Sequence, residues 1–452
     1  MSETKLGVRS TFSGAWVFVM ATIGSAVGLG NIWKFPYMVG LYGGAAFVLV
    51  YFACMLVFAL PLAMSEVMLG RRAKCCAPDA YEKLARESGR TGLWRYLGFF
   101  ALLGCVLTIA FYSVVGGWVL NYLFESFTGF PGATAYSMQT EFGAFLGSAV
   151  QQVVWHTLFL LSGCFIIVLG VDKGIGRANA VMMPALFFIL LFLLIYAFIY
   201  GDIQKSFDYM FTADWRALTP KVLLAALGHS FFSMSIGFGA LMIYGSYVKE
   251  QVNIAASTLY VAAANLFIAV LAGLSIFAFV FGAGLEPSAG PGLVMQALPL
   301  VFSKMPFSQV VAPLFYILLY FATITSAISI IEPMAAYLIE SVPSLGRKKA
   351  TLILFFVVWV CGIVVALGFN EWSNVTIFGS NIFDTLDALT SRFIMPISAM
   401  LSAVFIGWFM NRQLVQHEIH LKTWQWSLWF FILRFVAPPC ILIVFLSGFD
   451  FF

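Results

Sequence analysis

The sequence predicts an all-α integral membrane protein with 11 transmembrane helices: a 5+5 inverted repeat with broken helices 1 and 6, plus one extra helix. Three observations carry that expectation. The 452 residues are 62% hydrophobic and only 10% charged, with a mean hydropathy of +0.96, outside the range of soluble globular chains. Apolar runs of the roughly 20 residues needed to cross a bilayer recur along most of the chain. Two of those runs are interrupted by glycine-rich segments at corresponding places, the sequence mark of inverted-repeat membrane folds with a binding site at the break.

The runs fall near 13–38, 44–69, 93–125, 151–169, 177–200, 221–245, 255–284, 308–339, 350–369, 376–410 and 424–448. We expect a single domain over 1–452, with 13–200 as the first repeat, 221–410 as the second and 424–448 as the last helix. Five spans is an odd number, so the second repeat enters from the opposite face. Lysine and arginine set the orientation. With the N-terminus cytoplasmic, Arg71, Arg72, Lys74, Lys83, Arg86, Lys173, Arg347, Lys348 and Arg412 are among many basic residues inside. Only Lys205, Arg216, Lys221 and Lys304 then lie outside, together with the C-terminal residues 448–452. The charged segment 71–95 reads equally as an amphipathic helix or a solvated linker. No cleavable signal peptide is expected, because the first twelve residues are polar and the run that follows is too long. Cys54, Cys105, Cys164, Cys361 and Cys440 fall in apolar runs and read as packing residues, with Cys75 and Cys76 in a basic loop as a lipidation candidate.

The first interruption reads Gly24-Ser25-Ala26-Val27-Gly28-Leu29-Gly30-Asn31-Ile32-Trp33-Lys34-Phe35-Pro36. Glycine and proline weaken a helix interior. Irregular backbone survives at membrane depth only where it lines protein or water. A broken helix presents free carbonyls at one half's end and free N–H groups at the other's start, suited to a cation and an anion. The second interruption spans Gly228 to Gly239. Pro184, in the fifth span, marks a further weak point near the cytoplasmic end.

Polar residues inside the membrane tend to be functional. Asn31, Ser233 and Asn265 supply oxygens suited to a hard cation such as sodium; the competing reading is a structural hydrogen bond between helices. Ala322, Thr325, Ser326 and Ser329 share one helical face, as small-residue packing or as hydroxyls for a second cation. Glu66 is placed to tie down a broken helix by accepting its N–H groups. Asp387 pairs with Lys34 as an outer gate or forms a structural salt bridge, and Glu340 pairs with Arg9 at the inner end. No zinc-binding His pair, nucleophile elbow or phosphate-binding loop occurs, so an enzyme is not expected. The net charge of +4 and short basic loops speak against nucleic-acid binding. The expected partners are a small solute and the lipid bilayer.

The motif Ala26-Val27-Gly28-Leu29-Gly30-Asn31-x-Trp33-Lys34-Phe35-Pro36 resembles the signature of the neurotransmitter:sodium symporter family. Further matches are Pro61-Leu62 with Glu66 and Gly70-Arg71, Lys173-Gly174-Ile175, Phe232-Ser233-x-Ser235-x-Gly237-Phe238-Gly239, and Thr325-Ser326 with Glu332-Pro333. The resemblance covers nearly the whole chain in order and looks like a bacterial amino acid transporter with the LeuT-type fold.

The resemblance implies two Na+ sites. One would use the Ala26 carbonyl, Asn31, Ser233, Asn265 and the substrate carboxylate. The other would use the carbonyls of Gly24, Val27 and Ala322 with the hydroxyls of Thr325 and Ser326. Substrate would touch Ala26, Leu29, Gly30, Thr108, Tyr112, Phe232, Ser235, Phe238, Ser326 and Ile330, with Tyr112 donating to the carboxylate. Lys34 and Asp387 would form the outer gate, and Arg9, Phe12, Tyr247 and Glu340 the inner one. Monoamine carriers of the family place Asp where Gly28 stands. Gly28 therefore implies a substrate that brings its own carboxylate, and the apolar pocket implies a neutral, hydrophobic or aromatic amino acid. The implied function is sodium-coupled symport by alternating access across the inner (cytoplasmic) membrane. A non-transporting sensor on the same fold, and a channel-like conduit, are the alternatives. Tyr51, His229, Ser233 and Ala269 occupy the positions that hold an anion in chloride-dependent relatives. Here Ala269 offers neither the hydroxyl of those relatives nor the acid of chloride-independent ones. Chloride use is left open, with His229 as the candidate anion or proton site.

Overall fold

The structure, a computed structural model, describes residues 10–285 and 292–447. Among them, nine unbroken helices are long and apolar enough to cross a membrane. A tenth crossing is a broken pair, α1 (Ala15–Ala26) and α2 (Gly30–Leu41), bent by 55° at the Val27–Leu29 break. The unbroken crossings are α3 (Ala45–Ala73), α5 (Gly92–Ser126), α7 (Ala149–Val168), α8 (Val171–Tyr200), α12 (Ile254–Gly282), α14 (Ser308–Ser341), α15 (Pro343–Leu367), α16 (Ile382–Phe409) and α18 (Thr423–Ile443). The eleventh is a second broken pair, α10 (Pro220–Ser233) and α11 (Ala240–Ser246), too short in each half to span alone. Shorter helices connect them: α4 (Ala77–Glu87), α6 (Ala135–Gly147), α9 (Ile203–Phe211), α13 (Leu293–Ser303) and α17 (Arg412–Ile419). The protein is an all-α multi-pass membrane protein.

Local chemistry sets several helix starts. Thr219, Asn253 and Asn381 accept the N–H groups of Val222, Ala256 and Asp384 through their side chains, satisfying donors that the helix leaves free. The charged segment after α3 is the amphipathic helix α4, not a linker. Its Ala80, Tyr81 and Leu84 are buried while Arg86 is exposed. Several span limits move by a few residues from the sequence expectation. The largest shifts are at α8, which begins six residues early in a π-helical turn Val171–Gly176, at α15, which begins seven residues early with a 3-10 turn at Pro343–Leu345, and at α16, which begins six residues late at Ile382.

Burial separates inner from outer spans. The apolar windows of α14 and α5 are 78% and 72% buried, against 33% for α8 and α18. The two broken pairs, α5, α12 (also 72% buried) and α14 therefore form the centre, and α8 and α18 lie at the lipid-facing periphery. Glycines permit the closest crossings. A side chain at Gly70 of α3 would meet the Met242 carbonyl oxygen at 1.7 Å, and one at Gly245 of α11 would meet the Val67 carbonyl oxygen at 2.3 Å.

Candidate functional site

The two breaks face one another. Where α10 ends, Ser235 takes a positive φ of 54°, followed by Gly237 at 89° and Gly239 at 74°. A left-handed stretch of this kind suits glycine and leaves backbone groups without helical partners. Side chains satisfy them. Glu66 of α3 accepts from the Gly237 N–H at 2.7 Å. Ser235 donates its hydroxyl to the Ser25 carbonyl at 2.7 Å, tying the second break to the first.

Asn31, Ser233 and Asn265 lie together. The Asn31 amide donates to Asn265 Oδ1 at 2.5 Å, the Asn265 amide donates to Ser233 Oγ at 2.6 Å, and Ser233 Oγ donates to Asn31 Oδ1 at 3.4 Å. Three helices thus meet in one closed ring of polar groups, each residue 2% exposed or less. Beyond it, Tyr51 donates to Ser233 Oγ at 3.0 Å. Ala269 is buried, and the His229 ring lies 5.3 Å from that of Tyr51. Both His229 nitrogens are buried without a hydrogen-bond partner.

A second polar cluster sits on the opposite side of the first break. Ser326 of α14 donates towards the carbonyls of Gly24 and Val27, each at 3.3 Å. Thr325 Oγ1 lies 3.3 Å from the Ala322 carbonyl. Asn179 of α8, which sequence reasoning missed, belongs here. Its Oδ1 is buried without a partner, and a side chain at Gly24 would meet it at 1.9 Å and Thr325 Cβ at 3.0 Å. The one available signal was an asparagine inside an apolar run. The side chains and carbonyls of both clusters offer neutral oxygens, a donor set that suits a hard monovalent cation.

Between the clusters is a cavity lined by Ala26, Gly28, Leu29, Gly30, Thr108, Tyr112, Phe232, Ser235, Phe238, Ser326 and Ile330, with Asn31 and Ser233 at one edge. All ten residues expected to touch substrate line it. The lining holds no charged side chain. The Thr108 and Tyr112 hydroxyls are buried and unpartnered. A side chain at Gly28 would meet Ser326 Oγ at 2.8 Å and Tyr112 Oη at 3.4 Å, so Gly28 leaves space where two hydroxyls converge.

The expected gates fare differently. Lys34 makes no ion pair with Asp387; its ammonium lies over the Phe232 ring, 5.3 Å from the centroid, at the rim of the cavity. At the other end, Phe12 is 1% exposed and packs edge-on against Tyr244 and Tyr247 at 5.8 and 5.9 Å. Its N–H donates to the Tyr247 carbonyl at 3.0 Å. Glu340 accepts from the Cys76 N–H at 2.8 Å, which joins α14 to the start of α4. Arg9 lies outside the described residues. A pair that the gate reading omitted lies at the same end: the buried Glu332 accepts from Tyr247 Oη at 2.7 Å and pairs with the half-buried Arg347 at 2.5 Å.

The chain matches the model of the "Sodium:neurotransmitter symporter family" over residues 9–144 and 137–451. It is 34% identical to an uncharacterized sodium-dependent transporter of Bacillus subtilis, YhdH, over 95% of each chain. It is 32% identical to an uncharacterized sodium-dependent transporter of Haemophilus influenzae, covering 97% of this chain and 98% of that one. Among solved structures, MhsT in complex with L-phenylalanine superposes with a TM-score of 0.89 at 38% identity, over 97% of this chain and 100% of that one.

Proposed function

We propose that this chain, which belongs to the sodium:neurotransmitter symporter family and so is a sodium-coupled transporter and not an enzyme, carries a neutral amino acid with a hydrophobic or aromatic side chain. The carrying observation is the uncharged cavity between two oxygen-lined clusters. A cavity with no carboxylate of its own, beside two cations, cannot balance an amine that lacks a carboxylate in low dielectric. A zwitterion balances its own charges, and its carboxylate adds a ligand to a neighbouring cation. Phe232, Phe238, Ile330 and Leu29 supply an apolar wall for the side chain. L-phenylalanine bound to MhsT supports the same class.

Two sodium ions accompany the substrate in this reading. One is held by the Ala26 carbonyl, Asn31, Ser233, Asn265 and the substrate carboxylate. The other is held by the carbonyls of Gly24, Val27 and Ala322 and the hydroxyls of Thr325 and Ser326. Asn31 and Gly24 lie on opposite sides of one break, so occupancy of either site fixes the hinge that the substrate touches. Repeats 13–200 and 221–410 move against each other about that point, with the N-terminus cytoplasmic. Phe12, Tyr247 and the Glu332–Arg347 pair seal the inner end, and Lys34 moves from Phe232 to Asp387 when the outer end shuts.

Tyr112 supplies an unpartnered donor that converges on Gly28. Tyr112→Phe is expected to raise KM for the amino acid about tenfold, the value of a hydrogen bond to a charged group, measured as sodium-driven uptake into vesicles. An unchanged KM removes Tyr112 from the carboxylate.

Two sodium ions and one carboxylate leave positive charge beside Tyr51, His229 and Ser233. His229 compensates it by donating to a bound chloride or by changing its protonation during the cycle. Replacing chloride by gluconate across pH 6–8 distinguishes the two: a chloride requirement marks the first, a pH-dependent uptake rate the second. Rates flat in both variables overturn the role.

A further inference from the structure

We propose that the end of the bundle where α16 meets α18 holds the phosphate headgroup of an anionic phospholipid, through Arg434 and Arg412. Arg434 is a charged residue within the lipid-facing span α18, in a window of mean hydropathy 1.8 that is only 33% buried. A guanidinium there is expensive unless an acceptor meets it. No carboxylate does: the ion pairs among the described residues engage Arg71, Arg72, Arg86, Arg95 and Arg347. Its Nε is buried without a hydrogen-bond partner.

The surroundings hold Arg434 in place. Gly407 of α16 makes room for its stem, since a side chain there would meet Arg434 Cα at 3.1 Å and Cγ at 3.3 Å. The guanidinium lies 4.5 Å from the Trp408 ring centroid and 5.2 Å from that of Phe435. The Trp408 indole donates to the Arg434 carbonyl at 3.2 Å. Trp408 and Phe435 are 48% and 49% exposed, so this aromatic bracket opens towards lipid. It has the make-up of an interfacial belt.

A second guanidinium stands nearby. Arg412 lies 5.3 Å over the Phe430 ring, and Phe430 precedes Arg434 by one helical turn, about 6 Å along the axis. Arg412 is exposed. Two guanidinia held over aromatic rings within one turn of α18, neither in an ion pair among the described residues, match a lipid phosphate above acyl chains. Arginine forks suit phosphate oxygens, and basic pockets between spans take anionic headgroups. The leaflet concerned is the cytoplasmic one, which rests on the orientation proposed above; the site itself does not.

The test is native mass spectrometry of the whole protein released from detergent micelles containing phosphatidylglycerol or phosphatidylcholine, with inorganic phosphate in place of lipid as a third arm. Wild type is expected to retain phosphatidylglycerol over phosphatidylcholine. Arg434→Gln and Arg412→Gln are each expected to weaken that retention about fivefold, with sodium-driven uptake in phosphatidylcholine vesicles preserved for Arg412→Gln. Arg412 lies outside the span, so its variant carries the test if Arg434→Gln does not fold. Equal retention of both lipids by wild type, undiminished retention by Arg412→Gln, or equal capture of inorganic phosphate would overturn the proposal. Uptake in phosphatidylcholine vesicles reports on transport separately, so failure of one reading leaves the other measurable.

Discussion

Asn31→Ala is expected to abolish sodium-dependent substrate binding. Asn31 is where the first break, the end of α10 and the middle of α12 meet, through its contacts with Asn265 at 2.5 Å and Ser233 at 3.4 Å. Removing it leaves two buried polar side chains short of a partner and, in the proposed reading, deletes one cation ligand. Breaking a buried charged site by removing one partner costs on the order of 3 kcal/mol, about 100-fold in affinity. In the proposed reading the loss is larger for the coupled process, because the cation held there also fixes the break that forms the substrate site. The measurement is equilibrium binding of radiolabelled amino acid in sodium and in potassium, on protein confirmed monodisperse. Asn31→Asp keeps the side-chain oxygens and should retain part of the sodium response. Sodium-dependent binding left intact in Asn31→Ala would remove Asn31 from the site.

Gly70→Ala is expected to remove most folded protein from the membrane. The added methyl group would sit 1.7 Å from the Met242 carbonyl oxygen and 2.9 Å from the Ser246 nitrogen. Both are backbone atoms of α11, so no side-chain rotation relieves the clash. Small residues at membrane helix contacts serve this close approach, and ordinary overpacking already costs about 1–3 kcal/mol. Separation of α3 from α11 would also pull Glu66, one turn away, from the Gly237 N–H that it holds at 2.7 Å. The second break would then lose its anchor. The expected result is at least about a tenfold lower yield of monodisperse protein. Gly143→Ala, on α6 with nothing within 4 Å of the new group, should match wild type. A normal yield and uptake for Gly70→Ala would show that α3 and α11 do not cross this closely.

What the sequence disclosed, and what it hid, divides along physical lines. The spans are legible because a bilayer demands long apolar runs, and the breaks because Gly28, Gly30 and Pro36 contradict a plain spanning helix. Asn31, Ser233 and Asn265 stand out as polar residues in apolar surroundings, and the structure brings them together. Ser326 and Thr325 are legible as hydroxyls on one helical face. Contacts between distant segments are another matter. Nothing in the sequence pairs Gly70 with Met242 or Ser235 with the Ser25 carbonyl, since both depend on how helices cross. Asn179 looks like an ordinary polar residue near a span end, and only the approach of α8 to Gly24 gives its position meaning. The partner of Lys34 depends on where its long flexible chain comes to rest. The sequence suggested Asp387, and the structure places it over Phe232.

The most direct test of the account is accumulation by the purified protein in sealed vesicles. An inward sodium gradient is imposed and a panel of radiolabelled amino acids is offered, with potassium as the control. The account predicts that neutral hydrophobic or aromatic amino acids, phenylalanine among them, accumulate above the external concentration, and that collapse of the gradient releases them. Saturable binding without accumulation, or uptake indifferent to sodium, would contradict it.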